Sequence, residues 1–100
     1  MEPLSASEIG RQLATRPFWK MESGKLVRQF KFADFVRALE FVNRVGELAE
    51  EMGHHPDIEI TYNKVRLSLV THDAGGLTNN DFQLAAAVDN LVPYPKAMAS

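Results

Sequence analysis

Residues 54–72, which read HHPDIEITYNKVRLSLVTH, carry the strongest indication of the fold. Apolar and polar side chains alternate on both sides of Asn63-Lys64, which is the pattern of two half-buried strands joined by a tight turn. We therefore predict a hairpin with strands over Ile58–Tyr62 and Val65–Thr71. When the two residues that flank the turn are paired, both apolar rows fall on one face, and a slip of one residue would separate them.

This register has a consequence for the histidines, of which the chain has three. It places His55 opposite His72, and His54 opposite Asp73, at the open end of the hairpin, where paired residues lie about 5 Å apart. Pro56 is expected to bend the first strand, so the prediction is proximity and not a fixed distance. A lone histidine in a loop is ordinarily a solvated side chain, but three that converge indicate a functional site.

Helical periodicity and turn residues predict the remaining elements. They are a helix over Ser5–Thr15, strands over Phe18–Met21 and Leu26–Phe32, a long helix over Asp34–Met52 and a last helix over Thr78–Leu91. Because helices and hairpins are grouped instead of strictly alternating, the expected fold class is α+β. We expect a four-stranded, mainly antiparallel sheet with helices packed on one face, in the order α-β-β-α-β-β-α.

The long helix over Asp34–Met52 has the clearest periodicity. Six apolar residues recur every three or four positions and are predicted to face the core: Phe35, Leu39, Val42, Val45, Ala49 and Met52. Gly53 follows them and is predicted to be a left-handed C-cap. In the first helix, Ser5 and Glu8 have the spacing of a capping box. Arg28 is the exception to the pattern, since it interrupts the apolar side of its predicted strand.

Composition narrows the class of protein. The chain has 100 residues, a net charge of −2 and no cysteine, so we expect one domain over residues 1–100, with a core over 5–92 and a loose tail over 93–100. Its basic residues are scattered, which argues against nucleic-acid binding. No apolar run is long enough to span a membrane and the N-terminus does not read as a signal peptide, so a cytoplasmic protein is expected.

Converging imidazoles favour proton transfer. Histidine has an ordinary pKa near 6.5, so that neighbouring rings supply an acid and a base together at neutral pH. A zinc site with three histidine ligands is the rival interpretation. Adjacent side chains such as His54 and His55 diverge in an extended chain, and no His-x-His pair is present. We therefore expect no metal.

The spacing of these residues resembles the signature of the pterin-4a-carbinolamine dehydratase family. The matching positions are Glu50, His54-His55-Pro56, Tyr62, His72 and Asp81. Supporting matches include Trp19, the stretch over residues 28–35, Tyr62 to Val65, Thr71-His72 and Gly76-Leu77, and the resemblance covers about residues 5–92. Gly53 departs from the pattern, because family members often have a polar or acidic residue before the two histidines.

The resemblance implies a reaction and a set of roles. The family removes water from a 4a-hydroxytetrahydropterin to give quinonoid dihydropterin, without a metal or redox cofactor. The resemblance also implies that His54 and His72 carry out the proton transfers and that His55 contributes binding and acid–base support. The implied substrate-binding residues are Gly53, Thr71, Asp73, Glu50 and Trp19, with Glu50 also expected to orient His54. Pro56, Tyr62 and Asp81 are signature or structural positions.

Three of these residues have structural alternatives. Asp81 has capping-box spacing from Thr78, and we favour that role. Glu50 is equally well explained as a solvated acid in the last helical turn. Trp19 is either a wall that stacks on the flat pterin or, as is more common for tryptophan, part of the core.

Two other functions are compatible with the same residues. Animal members of the family also act as dimerisation partners of a homeodomain transcription factor through a helical face, so the chain is alternatively an interaction module. The same pocket would also suit another pterin, such as a molybdopterin-related compound. The family forms dimers and tetramers, so a homodimer or homotetramer is expected, with an aromatic amino-acid hydroxylase as a further candidate partner.

Overall fold

The computed structural model describes residues 2–92, and the predicted tail over 93–100 lies outside the described residues. The elements are α1 (Ala6–Ala14), β1 (Lys20–Glu22), β2 (Lys25–Lys31), α2 (Phe35–Met52), β3 (Asp57–Thr61), β4 (Lys64–Leu69), a 3₁₀ turn (His72–Ala74) and α3 (Asn79–Asp89). The predicted order α-β-β-α-β-β-α is confirmed, with the short 3₁₀ turn added before the last helix.

The four strands form one sheet in the order β1-β2-β4-β3. Every pairing is antiparallel, and β2 and β4 are the central strands. One face is apolar and packs against the helices, with Leu26, Phe30, Val65 and Leu67 almost completely buried. On the opposite face Gln29 is exposed, whereas Val27 is buried. The α+β class with helices on one side of the sheet is therefore confirmed.

The register of the second hairpin differs from the prediction by two residues. Ile60 pairs with Val65 and Ile58 pairs with Leu67, and the turn is Tyr62-Asn63. The apolar rows still share one face, because side-chain direction repeats every two residues and a two-residue shift preserves it. Alternation alone fixes a register only to within two residues. Tyr62 therefore lies in the turn, with a φ of 54° and 65% of its surface exposed.

The shift removes the predicted pairing of histidines. β3 begins at Asp57 and β4 ends at Leu69, so neither His55 nor His72 belongs to the ladder. Thr71 instead forms an isolated bridge with Gly76. The predicted pairs His55–His72 and His54–Asp73 are wrong.

The buried face of α2 is rotated relative to the prediction. Ala38, Phe41, Val45 and Ala49 are the buried residues of the helix. Phe35, Leu39 and Met52, which were expected to face the core, are exposed by 44%, 36% and 37%. The helix has more apolar positions than one sheet face can cover. Periodicity identifies the broad apolar arc but does not determine which part of it the sheet contacts.

The helix ends agree with their sequence signals. Ser5 and Glu8 form a complete capping box at the start of α1, and the side chain of Asp34 caps α2. Gly53 is the C-cap of α2 with a φ of 65°, which is the left-handed conformation that glycine adopts most readily. Gly53 thus redirects the chain into the segment that carries the first two histidines.

Arg28 is buried because it has an acidic partner in the core. Its Nη1 atom donates to Oδ1 of Asp89 at 2.5 Å, and its guanidinium lies between the rings of Phe18 and Phe30. Trp19 is only 3% exposed and donates its indole N–H to the same Oδ1 atom at 2.8 Å. The ring of Trp19 is thus part of the core, which is the structural alternative given for it above.

Candidate active site

His54 is held against the protein interior. Its backbone N–H donates to the Ala49 carbonyl at 3.1 Å, directly after the Gly53 cap. The side chain is 13% exposed, and its Nε2 atom lies 2.5 Å from Oδ1 of Asp81. The end of α2 thereby delivers one of the three histidines to a carboxylate on α3.

Asp81 is fully buried. It occupies the third position of α3 and completes a capping box with Thr78, so the structural role predicted for it is confirmed. Its Oδ2 atom accepts from the Thr78 backbone N–H at 2.9 Å and from the Thr71 hydroxyl at 2.8 Å. Its Oδ1 atom is directed at His54, a contact that capping-box spacing did not predict.

The bonds around Asp81 determine the direction of each donor. A carboxylate has only acceptor oxygens, so each group bonded to it must donate. The Thr71 hydroxyl must therefore donate to Asp81, and it accepts in turn from the Thr78 hydroxyl, 2.8 Å away. His54 must donate through Nε2. This network assigns the hydrogen of neutral His54 to Nε2 and leaves Nδ1 as its free ring nitrogen.

His72 begins the 3₁₀ turn and is exposed. The preceding residue, Thr71, is buried. Because Thr71 also bonds to Asp81, His72 is one peptide unit away from the network that holds His54. In residues 2–92, no hydrogen bond joins two of the three histidines.

His55 points in a different direction from His54. Its Nε2 atom lies 2.6 Å from Oε2 of Glu50, and both side chains are well exposed. Glu50 is therefore hydrogen-bonded to His55 and not to His54, contrary to prediction. His55 also lines an open groove of about 800 Å³ beside α2, together with Asn43, Gly46, Glu47, Ala49, Glu50, Pro56 and Ile58.

The other predicted site residues are dispersed. Asp73 follows His72 in the 3₁₀ turn and is exposed. Gly53 and Pro56 flank the two adjacent histidines, whereas Tyr62 lies in the turn at the far end of β3. Only the residues near the end of α2 and the 3₁₀ turn are therefore placed to act with the histidines.

Within residues 2–92, no three histidine, cysteine, aspartate or glutamate side chains are grouped so that they could hold a metal ion. None of the helices in this part of the chain is both long and apolar enough to cross a bilayer.

These features describe a small α+β protein with a candidate acid–base centre. The buried carboxylate of Asp81 holds His54, and His72 directly follows Thr71, which bonds to the same carboxylate. The sequence model of pterin 4 alpha carbinolamine dehydratase matches residues 2–91. The chain belongs to the pterin-4a-carbinolamine dehydratase family.

Curated relatives agree over almost their whole length. A protein of Chloroflexus aurantiacus, provisionally named a pterin-4-alpha-carbinolamine dehydratase, is 56% identical over 92 residues, which is 92% of this chain and 99% of the relative. A protein of Acidobacterium capsulatum with the same provisional name is 52% identical over 92 residues, covering 92% of this chain and all of the relative.

Two solved structures are also similar. One is the crystal structure of a transcriptional coactivator/pterin dehydratase from Brucella melitensis, with a TM-score of 0.85, 32% identity and coverage of 90% of this chain and 98% of that one. The other is a pterin dehydratase-like protein identified as a RuBisCO assembly factor in the alpha-carboxysome, with a TM-score of 0.61, 25% identity and coverage of 75% and 87%. The fold therefore occurs in proteins with differently described functions.

Proposed function

We propose that this protein is a 4a-hydroxytetrahydropterin dehydratase, a hydro-lyase that forms quinonoid dihydropterin. The observation that carries the proposal is the bond between His54 and the buried carboxylate of Asp81. A carboxylate in this position holds an imidazole in one tautomer and stabilises the imidazolium that forms when the ring accepts a proton. This is the behaviour needed in an enzyme that removes a proton from a bound substrate.

The proposed reaction uses two histidines in complementary roles. His54 accepts the proton of pterin N5 through Nδ1, and the electron pair of the N–H bond forms the N5–C4a double bond. His72 in its protonated form donates to the 4a-hydroxyl, so that the C4a–O bond breaks and water leaves. Such acid–base assistance typically accelerates a reaction by about 10²–10⁴-fold. Loss of water changes no oxidation state, so the step requires no redox cofactor.

The groups around the histidines suit a pterin ring. The pyrimidine part of a pterin presents N–H donors, which exposed carboxylates such as Glu50 and Asp73 accept. The backbone at Gly53 offers a further polar contact, whereas the N–H and the carbonyl of Thr71 are already bonded within the 71–76 turn. His55 and its open groove would then contribute binding and support, while His54 and His72 carry the proton transfers.

The decisive experiment generates the 4a-hydroxypterin with a hydroxylase and follows its dehydration by ultraviolet absorbance. We expect the wild-type protein to accelerate the reaction, and His54→Ala and His72→Ala to lose about 10²-fold or more of that acceleration. His55→Ala should lose less. A wild-type rate equal to the uncatalysed rate would exclude the enzyme function, and full activity of His72→Ala would exclude its assigned role.

A second candidate function is supported by the exposed apolar side chains of α2. Phe35, Val36 and Leu39 lie on one arc of the helix and are exposed by 44%, 53% and 36%. Contiguous exposed apolar side chains are typical of interaction surfaces. We propose that this arc binds a second copy of the chain in a homodimer or homotetramer.

Sedimentation equilibrium tests this contact. Val36→Lys should reduce the measured mass toward that of a monomer, because it places a charge in an apolar interface. Gln29→Lys, on the exposed face of the sheet, is the matched control and should leave the mass unchanged. A wild-type protein that is already monomeric would contradict the proposal.

The biological setting of the reaction is part of the same proposal. The dehydratase would recycle the tetrahydropterin cofactor of an aromatic amino-acid hydroxylase in the cytoplasm, and the hydroxylase is the expected partner. Activity on a molybdopterin-related compound is the alternative. Comparing rates on the two pterins in the same assay distinguishes them.

A further inference from the structure

Thr71 is bonded on two sides at once. Its hydroxyl donates to Oδ2 of Asp81 at 2.8 Å and lies 2.8 Å from the hydroxyl of Thr78. Its carbonyl oxygen accepts from the N–H groups of Ala74 and Gly75 at 3.0 and 3.1 Å. The side chain thus belongs to the network that holds His54, and the backbone belongs to the turn that carries the other proton-transferring histidine.

The Thr71 backbone closes that turn through two hydrogen bonds to Gly76. Its N–H donates to the Gly76 carbonyl at 3.2 Å, and its carbonyl accepts from the Gly76 N–H at 3.4 Å. These bonds tie residues 71–76 into one closed loop with His72 near its start. Thr71 is itself only 8% exposed, so water does not readily replace the bonds of its hydroxyl.

We propose that the Thr71 hydroxyl is a positioning group that keeps His54 and His72 in one arrangement. It acts through Asp81 on the first histidine and through its own peptide unit on the second. The inference rests on the proposed dehydratase function for its kinetic consequence, but its effect on the state of His54 does not require substrate. Thr71 itself is not assigned contact with the reacting atoms.

The hydroxyl matters because Asp81 is fully buried. Without it, Oδ2 retains only the Thr78 N–H as a donor, and the Thr78 hydroxyl loses its acceptor. The carboxylate can then rotate and bond to its remaining donors, the Thr78 N–H and His54, in a different orientation. His54 would lose the fixed partner that keeps the hydrogen on Nε2, and the loop carrying His72 would lose its side-chain tether to α3.

The test compares three threonine variants. Thr71→Val removes the hydroxyl and preserves the shape of the side chain, whereas Thr71→Ser retains the hydroxyl. Thr15→Val is the matched control, because it removes a hydroxyl that donates to the Gln12 carbonyl at the end of α1 and has no bond to Asp81 or His54. Thr71→Ala is the second hydroxyl-free variant and is used if Thr71→Val does not fold, as judged by circular dichroism.

The first measurement is nitrogen-15 NMR of the imidazole rings in the free protein. Wild type, Thr71→Ser and Thr15→Val should show His54 with its hydrogen on Nε2. Thr71→Val should show a mixture of tautomers at His54. An unchanged His54 spectrum in the hydroxyl-free variant would overturn the proposal.

The second measurement is the dehydration assay. Thr71→Val should lower kcat by about tenfold or more, which is the loss expected when a hydrogen bond to a charged group is removed. The change in KM should be smaller. Thr71→Ser, which retains the hydroxyl, should keep most of the wild-type kcat. Wild-type kcat in Thr71→Val would overturn the positioning role. If wild type shows no dehydratase activity, the dehydratase proposal fails, and the NMR result still decides whether Thr71 controls His54.

Discussion

The Nε2 atom of His54 lies 2.5 Å from Oδ1 of Asp81, a residue 27 positions further along the chain. The carboxylate does two things with its two oxygens. Oδ2 caps α3 and accepts from Thr71, while Oδ1 fixes the direction of the imidazole. A residue that helps to start a helix is therefore also the residue that selects which nitrogen of His54 is free for chemistry.

Asp81→Asn should separate these two functions. The Thr78 N–H can only donate, so the amide oxygen of the substituted side chain takes the Oδ2 position and the amide NH₂ group faces His54. His54 must then accept through Nε2, which moves its hydrogen to Nδ1 and removes the base. We expect dehydration to slow by about 10²-fold or more, while the cap is retained.

The control for that variant is Ser5→Ala, which removes the capping box of α1. It should lower the free energy of unfolding by about 1 kcal/mol without slowing dehydration. Urea denaturation and the dehydration assay are measured on both proteins. Normal activity in Asp81→Asn would contradict the assigned tautomer of His54.

The Arg28–Asp89 pair predicts an asymmetric effect on stability. Asp89→Ala leaves the buried guanidinium without its acceptor and should cost about 3 kcal/mol in the free energy of unfolding. Arg28→Met should cost about 1 kcal/mol or less, because Asp89 keeps its bonds to Arg16 and Trp19. Urea denaturation of the two variants checks the order, and equal losses would show that the pair does not act through desolvation.

Substitutions of Gly53 should affect stability through the backbone conformation and not through steric clashes. An added Cβ atom meets nothing within 4 Å, but φ is +65°. Gly53→Ala should therefore destabilise the protein by about 1 kcal/mol. Gly53→Asn should cost less, since asparagine tolerates the left-handed region. If thermal denaturation shows no difference between the two, the cap does not limit stability.

Acid stability should depend on Glu22. Its side-chain hydrogen bond with Arg66, followed by the charges of Arg66 and Lys20, holds the pKa of Glu22 below its ordinary value. The resulting stability is present above the unfolded-state pKa and is lost as the pH falls through the folded-state pKa. In Glu22→Gln, the urea midpoint should fall less between about pH 5 and pH 3 than in wild type. An identical pH profile would show that the exposed pair contributes nothing.

Much of the fold was predictable because burial of one face makes apolar residues recur at a regular spacing along each strand and helix. Alternation gave the strands and their buried faces, and helical spacing gave the three helices with their caps. The same reasoning placed the second hairpin two residues out of register. It also chose the wrong part of the apolar arc of α2, because a repeating pattern does not distinguish between positions that satisfy it equally well.

The site was predictable only in part. Spacing identified the residues of the signature, and capping-box spacing identified the local role of Asp81. The bonds between Asp81 and His54, and between Glu50 and His55, could not be predicted from local sequence patterns. For Trp19 the sequence left a pocket wall and the core as alternatives, and the ring lies in the core, where its N–H donates to Asp89.

Local patterns and fixed spacings in the chain were enough to define the elements, the faces of the strands that point inward, and the family. The pairing of His54 with Asp81 and of His55 with Glu50 instead depended on tertiary packing. That pairing follows from how the end of α2, the 3₁₀ turn and the start of α3 pack against one sheet, where a left-handed turn at Gly53 sends His54 inward to Asp81 and His55 outward to Glu50.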